Sequence, residues 1–183
     1  MSKRVLVAIA DGSEEIEAVC IIDVLRRAEL DVTVASVGEL QITAGRGVRI
    51  VADARIADCS KKDYDMVVLP GGMGGAENLR DSKYLTEILK AQVLAGKYYA
   101  AICAAPAVVL AHHGLLKGRK ATCYPSMIKR LSGNEKAGQR VVVDGNCITS
   151  QGPGTALEFS IKLVEILCGK AKALQIAEAM LII

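Results

Sequence analysis

The chain has 183 residues, of which 51% are hydrophobic and 23% are charged, and its formal net charge is +3. This length and balance predict one folded domain over residues 1–183 and exclude a disordered chain. Aromatic residues make up only 3% and do not alternate with basic ones, so the sequence does not support nucleic-acid binding.

Short apolar runs alternate along the chain with stretches of helical period. We predict single strands at 5–10, 32–37, 65–69 and 97–102, and hairpins at 41–51 and 141–149. We predict helices at 14–27, 75–94, 104–111, 155–167 and 170–180, the first of them capped by Ser13. Because the strands are apolar throughout and are joined by helices, they predict a doubly wound α/β fold with a mostly parallel sheet between helix layers.

Several candidate functional segments follow the predicted strands at their carboxyl ends. They are Asp11-Gly12, Gly71-Gly72, Cys103 and the loop 151–155. Ligands of doubly wound sheets bind in the crevice outside these strand ends. We therefore expect the four segments to converge on one site.

Cys103 lies at the junction of the predicted strand 97–102 and the predicted helix 104–111. Such a sharp strand-to-helix turn is a nucleophile elbow, where free backbone N–H groups and the helix dipole favour a thiolate. The dipole contributes only ~0.3–1 kcal/mol, less than the ~1.4 kcal/mol of one pKa unit, so direct hydrogen bonds to the sulfur from backbone N–H groups and from a protonated carboxylic acid are also needed. With these hydrogen bonds we expect Cys103 to titrate well below pH 7. The alternative is that Cys103 is a small buried hydrophobic residue, as most free cysteines are.

Glu17 is the acidic residue of the first helix that we expect to be buried. It shares an apolar stripe with Ile21 and Leu25, whereas Glu14 and Glu15 are expected near solvent in the first turn. Burial at the mouth of the crevice should raise the pKa of the Glu17 carboxyl towards neutrality. The alternative is a frayed first turn in which all three acids are solvated.

Cysteine and histidine spacing excludes several other kinds of site. The six cysteines contain no Cys-x-x-Cys pair and the two histidines are adjacent, so we predict no metal site and no disulfide framework.

Gly72-Met73-Gly74-Gly75 follows a strand as a dinucleotide loop would, but Glu77 replaces the third glycine and would repel a pyrophosphate. We find no targeting segment and no apolar run of membrane-spanning length, so we expect a cytoplasmic protein with reduced thiols.

Four motifs in the same order as in a known family cover nearly the whole chain. They read Asp11-Gly12-Ser13-Glu14-Glu15-Ile16-Glu17, Val67-Val68-Leu69-Pro70-Gly71-Gly72, Ala101-Ile102-Cys103-Ala104-Ala105-Pro106 and Ser150-Gln151-Gly152-Pro153-Gly154-Thr155. The chain resembles the ThiJ/PfpI superfamily, in its branch around the parkinsonism-associated protein DJ-one and the bacterial ThiJ-like proteins. The resemblance implies a flavodoxin-like sheet, related to that of class I glutamine amidotransferases.

The resemblance also implies roles for particular residues. Cys103 matches the oxidisable nucleophile of the family, and Glu17 matches the carboxylic acid that hydrogen-bonds it. Gly72 and Ala104 match positions whose backbone N–H groups face a bound oxyanion.

The remaining implied site residues are Gly71, Arg46 and Tyr124, which would line the substrate pocket. Two of the implied positions depart from the family pattern. The protease-like branch has a histidine after the nucleophile, where Ala104 stands here, which argues against peptidase activity. Tyr124 replaces a histidine that is usual beside the site, and a phenol is a poor acid–base group at neutral pH.

The implied function is that of a cofactor-independent glyoxalase of the glyoxalase III type or a deglycase, with no metal ion, in defence against oxidative and carbonyl stress. The substrate would be a small reactive carbonyl compound, methylglyoxal or its adducts. The alternative is a non-enzymatic redox sensor or holdase chaperone that uses the same oxidisable Cys103. The resemblance further implies a homodimer built partly on the first helix. Two features of the sequence agree with an interface: Val19 and Ile22 lie outside the main apolar stripe of that helix, and the C-terminus 180–183 is apolar.

Overall fold

The structure is a computed structural model that describes residues 2–131, 136 and 138–182. Its strands are β1 Arg4–Ile9, β2 Asp31–Ser36, β3 Gln41–Thr43, β4 Arg49–Val51, β5 Ala54–Arg55, β6 Met66–Leu69, β7 Tyr98–Ile102, β8 Val141–Asp144 and β9 Cys147–Ser150. The main sheet has seven strands in the order β5-β2-β1-β6-β7-β9-β8. Its pairs are parallel except for β8 with β9, while β3 and β4 form a separate antiparallel hairpin.

Helices cover both faces of this sheet. They are α1 Glu15–Arg27, α2 Met73–Asp81, α3 Lys83–Leu94, α4 Ala156–Cys168 and α5 Lys170–Ala179. Helix α1 packs on α4 and α4 packs on α5, whereas α2 packs on α3. Every residue of β6 is buried, and successive side chains of a strand point to opposite faces, so neither face of the sheet centre meets solvent. The doubly wound α/β prediction is confirmed.

Three local predictions are corrected by the structure. The Ser13 hydroxyl accepts a hydrogen bond from the Ala10 N–H at 3.0 Å instead of capping α1, which begins after Glu14 without a side-chain cap. The predicted helix 75–94 is two helices, because Ser82 is extended (ψ 110°) and its hydroxyl accepts from the Leu85 N–H to start α3. The helix predicted at 104–111 contains a π-helix, Pro106–Leu110.

The short strand β5 was not predicted, since two residues carry no periodic pattern. Both hairpins are confirmed, with β3 pairing with β4 and β8 with β9. Among the described residues, no helix combines the length and the apolar character needed to cross a membrane. Residue 183, the end of the apolar C-terminus, lies outside the described residues.

Candidate active site

The loops that follow β1, β6 and β7 meet at one end of the sheet because these three strands are neighbours in its order. Between the loops lies a cleft of about 620 Å³. Its walls include Glu14, Arg46, Gly72, Cys103 and Tyr124. Ligands of doubly wound sheets bind at this edge, so the cleft is the candidate active site.

Cys103 occupies a sharp turn directly after β7. Its φ of 64° lies in the left-handed region, which costs a residue with a side chain about 1–3 kcal/mol. Hydrogen bonds hold the turn on both sides, since the Cys103 N–H donates to the Ser150 carbonyl at 3.0 Å and its own carbonyl accepts from the Tyr124 N–H at 2.8 Å. The side chain is 9% exposed, at the floor of the cleft. The predicted nucleophile elbow is therefore present in the backbone.

Two glycines allow other parts of the chain to approach this elbow. A Cβ atom on Gly71 would lie 2.6 Å from the Cys103 Cβ and 2.8 Å from Glu17 Oε2, so no side chain fits there. Gly72 has a φ of 81°, and a Cβ on it would lie 2.3 Å from the Gly12 carbonyl oxygen. This close packing explains the glycine-rich sequence after β6 without a bound dinucleotide.

Glu17 extends from the packed face of α1 into the same place and is fully buried. Its Oε2 accepts a hydrogen bond from the Gly71 N–H at 2.7 Å, and among the described residues Oε1 has no conventional hydrogen-bond partner. Burial raises the pKa of the Glu17 carboxyl to about 7, although the Gly71 N–H and the Cys103 side chain lower it. The expectation of a buried carboxyl with a raised pKa is confirmed.

The pKa of the Cys103 thiol is higher than the backbone geometry of the elbow predicts. Burial, and next the Glu17 carboxylate, raise the pKa of the thiol to about 12, while hydrogen bonds from the Gly72 and Ala104 N–H groups lower it. The prediction that hydrogen bonds from backbone N–H groups and from the Glu17 carboxyl bring the pKa of Cys103 well below 7 is wrong, because desolvation outweighs the N–H groups and Glu17 also raises the pKa. The Glu17 repulsion acts only when that carboxyl is ionised, so Cys103 and Glu17 titrate as one coupled pair.

Arg46 reaches the cleft from the loop between β3 and β4. Its N–H donates to Glu15 Oε1 at 2.7 Å, and the Gly45 N–H donates to the Ser13 carbonyl at 2.8 Å, which fixes the loop against the start of α1. Glu15 is buried, which corrects the expectation that it lies near solvent. Although burial acts in the opposite direction, hydrogen bonds from N–H groups, including that of Arg46, lower the pKa of Glu15 overall.

Sequence reasoning missed Glu15 as a residue that positions the site. The available signal was its spacing, since Glu15 precedes the buried residues Ala18 and Leu25 by three and ten positions on α1. That spacing places Glu15 at the edge of the packed face, where the hairpin loop covers it.

The other cysteines and the histidines do not enter the cleft. Cys123 and Cys147 are buried, and burial raises the pKa of each to about 11, which agrees with packing as their function. The Nε2 atom of His113 lies 2.9 Å from the Arg80 carbonyl oxygen, and His113 is not among the residues that line the cleft. Tyr124, by contrast, lines the cleft and is 46% exposed.

Comparison with known proteins identifies the family. Residues 3–166 match the model of the DJ-1/PfpI family. The chain belongs to this family. The sequence-based resemblance is confirmed.

Relatives from several organisms agree with this assignment. Protein DJ-1 homolog B of Arabidopsis thaliana is 51% identical over 180 residues, which are 98% of this chain and 41% of that protein. The chain thus spans less than half the length of this relative, and also of the Arabidopsis homolog A, of which it covers 46%. Glutathione-independent glyoxalase DJR-1.2 of Caenorhabditis elegans is 39% identical, with 88% and 87% of the two chains covered. The solved structure of Toxoplasma gondii DJ-1, oxidized, has a TM-score of 0.96 at 47% identity and covers 98% of both chains.

Proposed function

We propose that the chain is a cofactor-independent glyoxalase of the glyoxalase III type, or a deglycase, that acts on methylglyoxal and its adducts through Cys103. The observation that carries this proposal is that the Glu17 carboxyl is buried against the Cys103 thiol and that the pKa of this carboxyl is about 7. A group with that pKa can both accept and return a proton at neutral pH. The name of the C. elegans relative, a glutathione-independent glyoxalase, supports the same activity.

The reaction needs one nucleophile and one proton carrier. The Cys103 sulfur adds to the aldehyde carbon of methylglyoxal, a C–S bond forms, and the S–H bond breaks as its proton passes to the aldehyde oxygen, which gives a hemithioacetal. The Glu17 carboxylate removes the proton from C1 and returns it to C2 through an enediol, which gives the thioester of lactate. Water then cleaves the C–S bond and releases lactate and the free thiol. One water is consumed, and no electrons leave the substrate.

The cleft supplies groups for the charge that develops on oxygen. The Gly72 and Ala104 N–H groups already point at the Cys103 side chain, so they are placed to donate to the oxyanion of the hemithioacetal. Arg46 and Tyr124 line the same cleft and can donate hydrogen bonds to the second carbonyl. Ala104 stands beside the nucleophile where a peptidase of the family has a histidine, so we propose no peptidase activity.

Lactate formation from methylglyoxal tests this proposal. We expect the purified chain to form lactate without glutathione or added metal, and Cys103→Ala to abolish it. Cys123→Ala is the matched control, because it removes a buried thiol outside the cleft, and it should keep most of the activity. Equal loss in both variants would contradict the assignment of Cys103 as nucleophile.

A redox sensor or holdase chaperone is the second candidate function. The observation that favours it is the pair of Gly72 and Ala104 N–H groups at the Cys103 sulfur, which could hold the oxygens of a sulfinate as well as an oxyanion. The similar Toxoplasma gondii structure is of an oxidized protein. For either function we propose action in the cytoplasm during oxidative or carbonyl stress, where the thiol is kept reduced.

A further inference from the structure

The walls of the cleft differ in chemistry from one side of Cys103 to the other. Glu14 and Arg46 line it on the side of β1 and the β3–β4 hairpin. Tyr124, Met127 and Pro153 line it on the side of β7 and β9. One side is therefore charged and the other is mostly apolar.

The apolar side is held open. Tyr124 is fixed by its N–H, which donates to the Cys103 carbonyl at 2.8 Å, and its ring packs on Gly152, where a Cβ would lie 3.4 Å from the ring carbon Cδ2. Tyr124 is 46% exposed, and Met73, which lines the cleft after β6 and so between its two sides, is 48% exposed. Large apolar side chains that converge on a nucleophile and remain exposed indicate a ligand surface, and methionine adapts to varied shapes.

The cleft is also larger than methylglyoxal requires. Its volume of about 620 Å³ lies within the range of about 300–1,000 Å³ that is typical of sites for drug-sized ligands. A three-carbon substrate bonded to Cys103 would occupy the floor and leave the apolar side unfilled.

We propose that the preferred substrates are 2-oxoaldehydes with a bulky apolar substituent, an aryl group above all. This inference rests on the proposed glyoxalase activity. The aldehyde oxygen lies towards the Gly72 and Ala104 N–H groups and the ketone oxygen towards Arg46 and the Tyr124 hydroxyl, while the substituent packs between the Tyr124 ring and the methionines. The overall reaction is unchanged, as R–CO–CHO and one water give R–CHOH–COOH.

The charged side of the cleft makes this orientation specific. An apolar substituent placed against Glu14 and Arg46 would remove their charged groups from water without a partner, which is unfavourable. Packing against Tyr124 and Met127 instead buries apolar area on both partners. Packing of the substituent thus orients the aldehyde carbon at Cys103. A larger apolar substituent should therefore raise kcat/KM and not only tighten substrate binding.

The test compares 2-oxoaldehydes with methyl, isobutyl and phenyl substituents, measured as initial rates of lactate, 2-hydroxy-4-methylpentanoate and mandelate formation. We expect kcat/KM to rise along the series, by about tenfold or more from methylglyoxal to phenylglyoxal. Tyr124→Ala and Met73→Ala should each reduce this ratio severalfold. Leu94→Ala is the matched control, because Leu94 is 89% exposed at the end of α3 and outside the cleft, and it should leave the ratio unchanged. Intact mass spectrometry verifies that phenylglyoxal has not modified arginine during the assay.

The outcomes separate this inference from the function on which it rests. Lactate formation without a preference for the larger substrates overturns the inference and leaves the proposed function standing. A preference that survives in both Tyr124→Ala and Met73→Ala also overturns it, because the apolar side would then not be the binding surface. No turnover of any member of the series would overturn both.

Discussion

The Glu17 carboxyl and the Cys103 thiol contact one another at the end of the sheet, and each changes the pKa of the other. Glu17 belongs to the first helix and Cys103 follows β7, so only the folded chain brings them together. Both groups are desolvated, and a side chain on Gly71 would collide with both of them. The protonation states at the site therefore depend on the pair and not on either residue alone.

The first prediction concerns the titration of this pair. Burial raises both pKa values, so the pair should lose its first proton only near pH 7, as the pKa of Glu17 indicates. Because burial and the ionised Glu17 carboxylate both raise the pKa of the thiol, we expect the rate of Cys103 alkylation by iodoacetamide to stay low through pH 7 and to rise through a transition at alkaline pH. Glu17→Gln removes one of the two titrating groups and should move that transition. A transition at the same pH in wild type and variant would show that the two groups are not coupled.

The second prediction concerns activity at Glu17. Glu17→Gln keeps the size of the side chain and removes the proton carrier, so we expect lactate formation to fall about 10²–10⁴-fold. Glu29→Gln is the matched control, because this glutamate follows α1 and is exposed. Full activity in Glu17→Gln would remove Glu17 from the mechanism.

The third prediction concerns stability at the same residue. The pKa of Glu17 rises from 4.5 to about 7 on folding, so the folded state binds more protons between these values and stability falls as pH rises through that window. The shift corresponds to a decrease of about 3 kcal/mol in the free energy of unfolding once the pH is above 7. Glu17→Gln should therefore be more stable than wild type at pH 8, by up to that amount, with a difference that shrinks towards pH 4.5. Urea unfolding at both pH values measures it, and an equal difference at both would contradict the burial argument.

The fourth prediction concerns oxidation. Cys103 is in contact with two N–H donors and lines the cleft, whereas Cys59, Cys123 and Cys147 are buried outside the cleft. We expect mild peroxide to add two oxygens to Cys103 before any other cysteine reacts, including the exposed Cys168, because the Gly72 and Ala104 N–H groups can stabilise the sulfinate oxygens at Cys103. Peptide mass spectrometry across a peroxide series gives the order. Earlier oxidation of Cys168 would weaken both candidate functions.

The fifth prediction concerns assembly. We propose a two-fold homodimer through α1 and the β3–β4 hairpin, where Val19 is 50% exposed and Val51 is 68% exposed beside the partly buried Ile22. Val51→Glu should give monomers in sedimentation experiments at micromolar concentration. Val143→Glu is the matched control, because Val143 is 48% exposed on β8 at the far edge of the sheet.

The same variant tests whether assembly affects the site. Because α1 also carries Glu17, loss of the dimer should alter the Cys103 titration. A monomeric Val51→Glu with an unchanged titration would mean that dimerisation and the thiol are independent. A stable wild-type monomer at micromolar concentration would contradict the interface itself.

Local patterns in the sequence were sufficient to predict the class of fold and the placement of Glu17 and Cys103 in it, as a buried helix residue and a residue at a strand end. The apolar strands, the junction at Cys103 and the stripe shared by Glu17 and Ile21 all depend on neighbours within a few positions, where helical and strand periodicities decide which side is buried. The strand order is different, since any order of parallel strands satisfies the same pattern. It is the order that makes β1, β6 and β7 neighbours and brings their loops together.

The tertiary structure decided the details that depend on distant neighbours. Ser13 could have capped α1, but in the folded turn its hydroxyl accepts a hydrogen bond from the Ala10 N–H. Glu15 could have been solvated, but the hairpin loop carrying Arg46 covers it. The pKa of Cys103 is the clearest case: backbone N–H groups at a turn are visible in the sequence, whereas desolvation is the sum over all packed atoms around the sulfur, and here that sum is the larger effect.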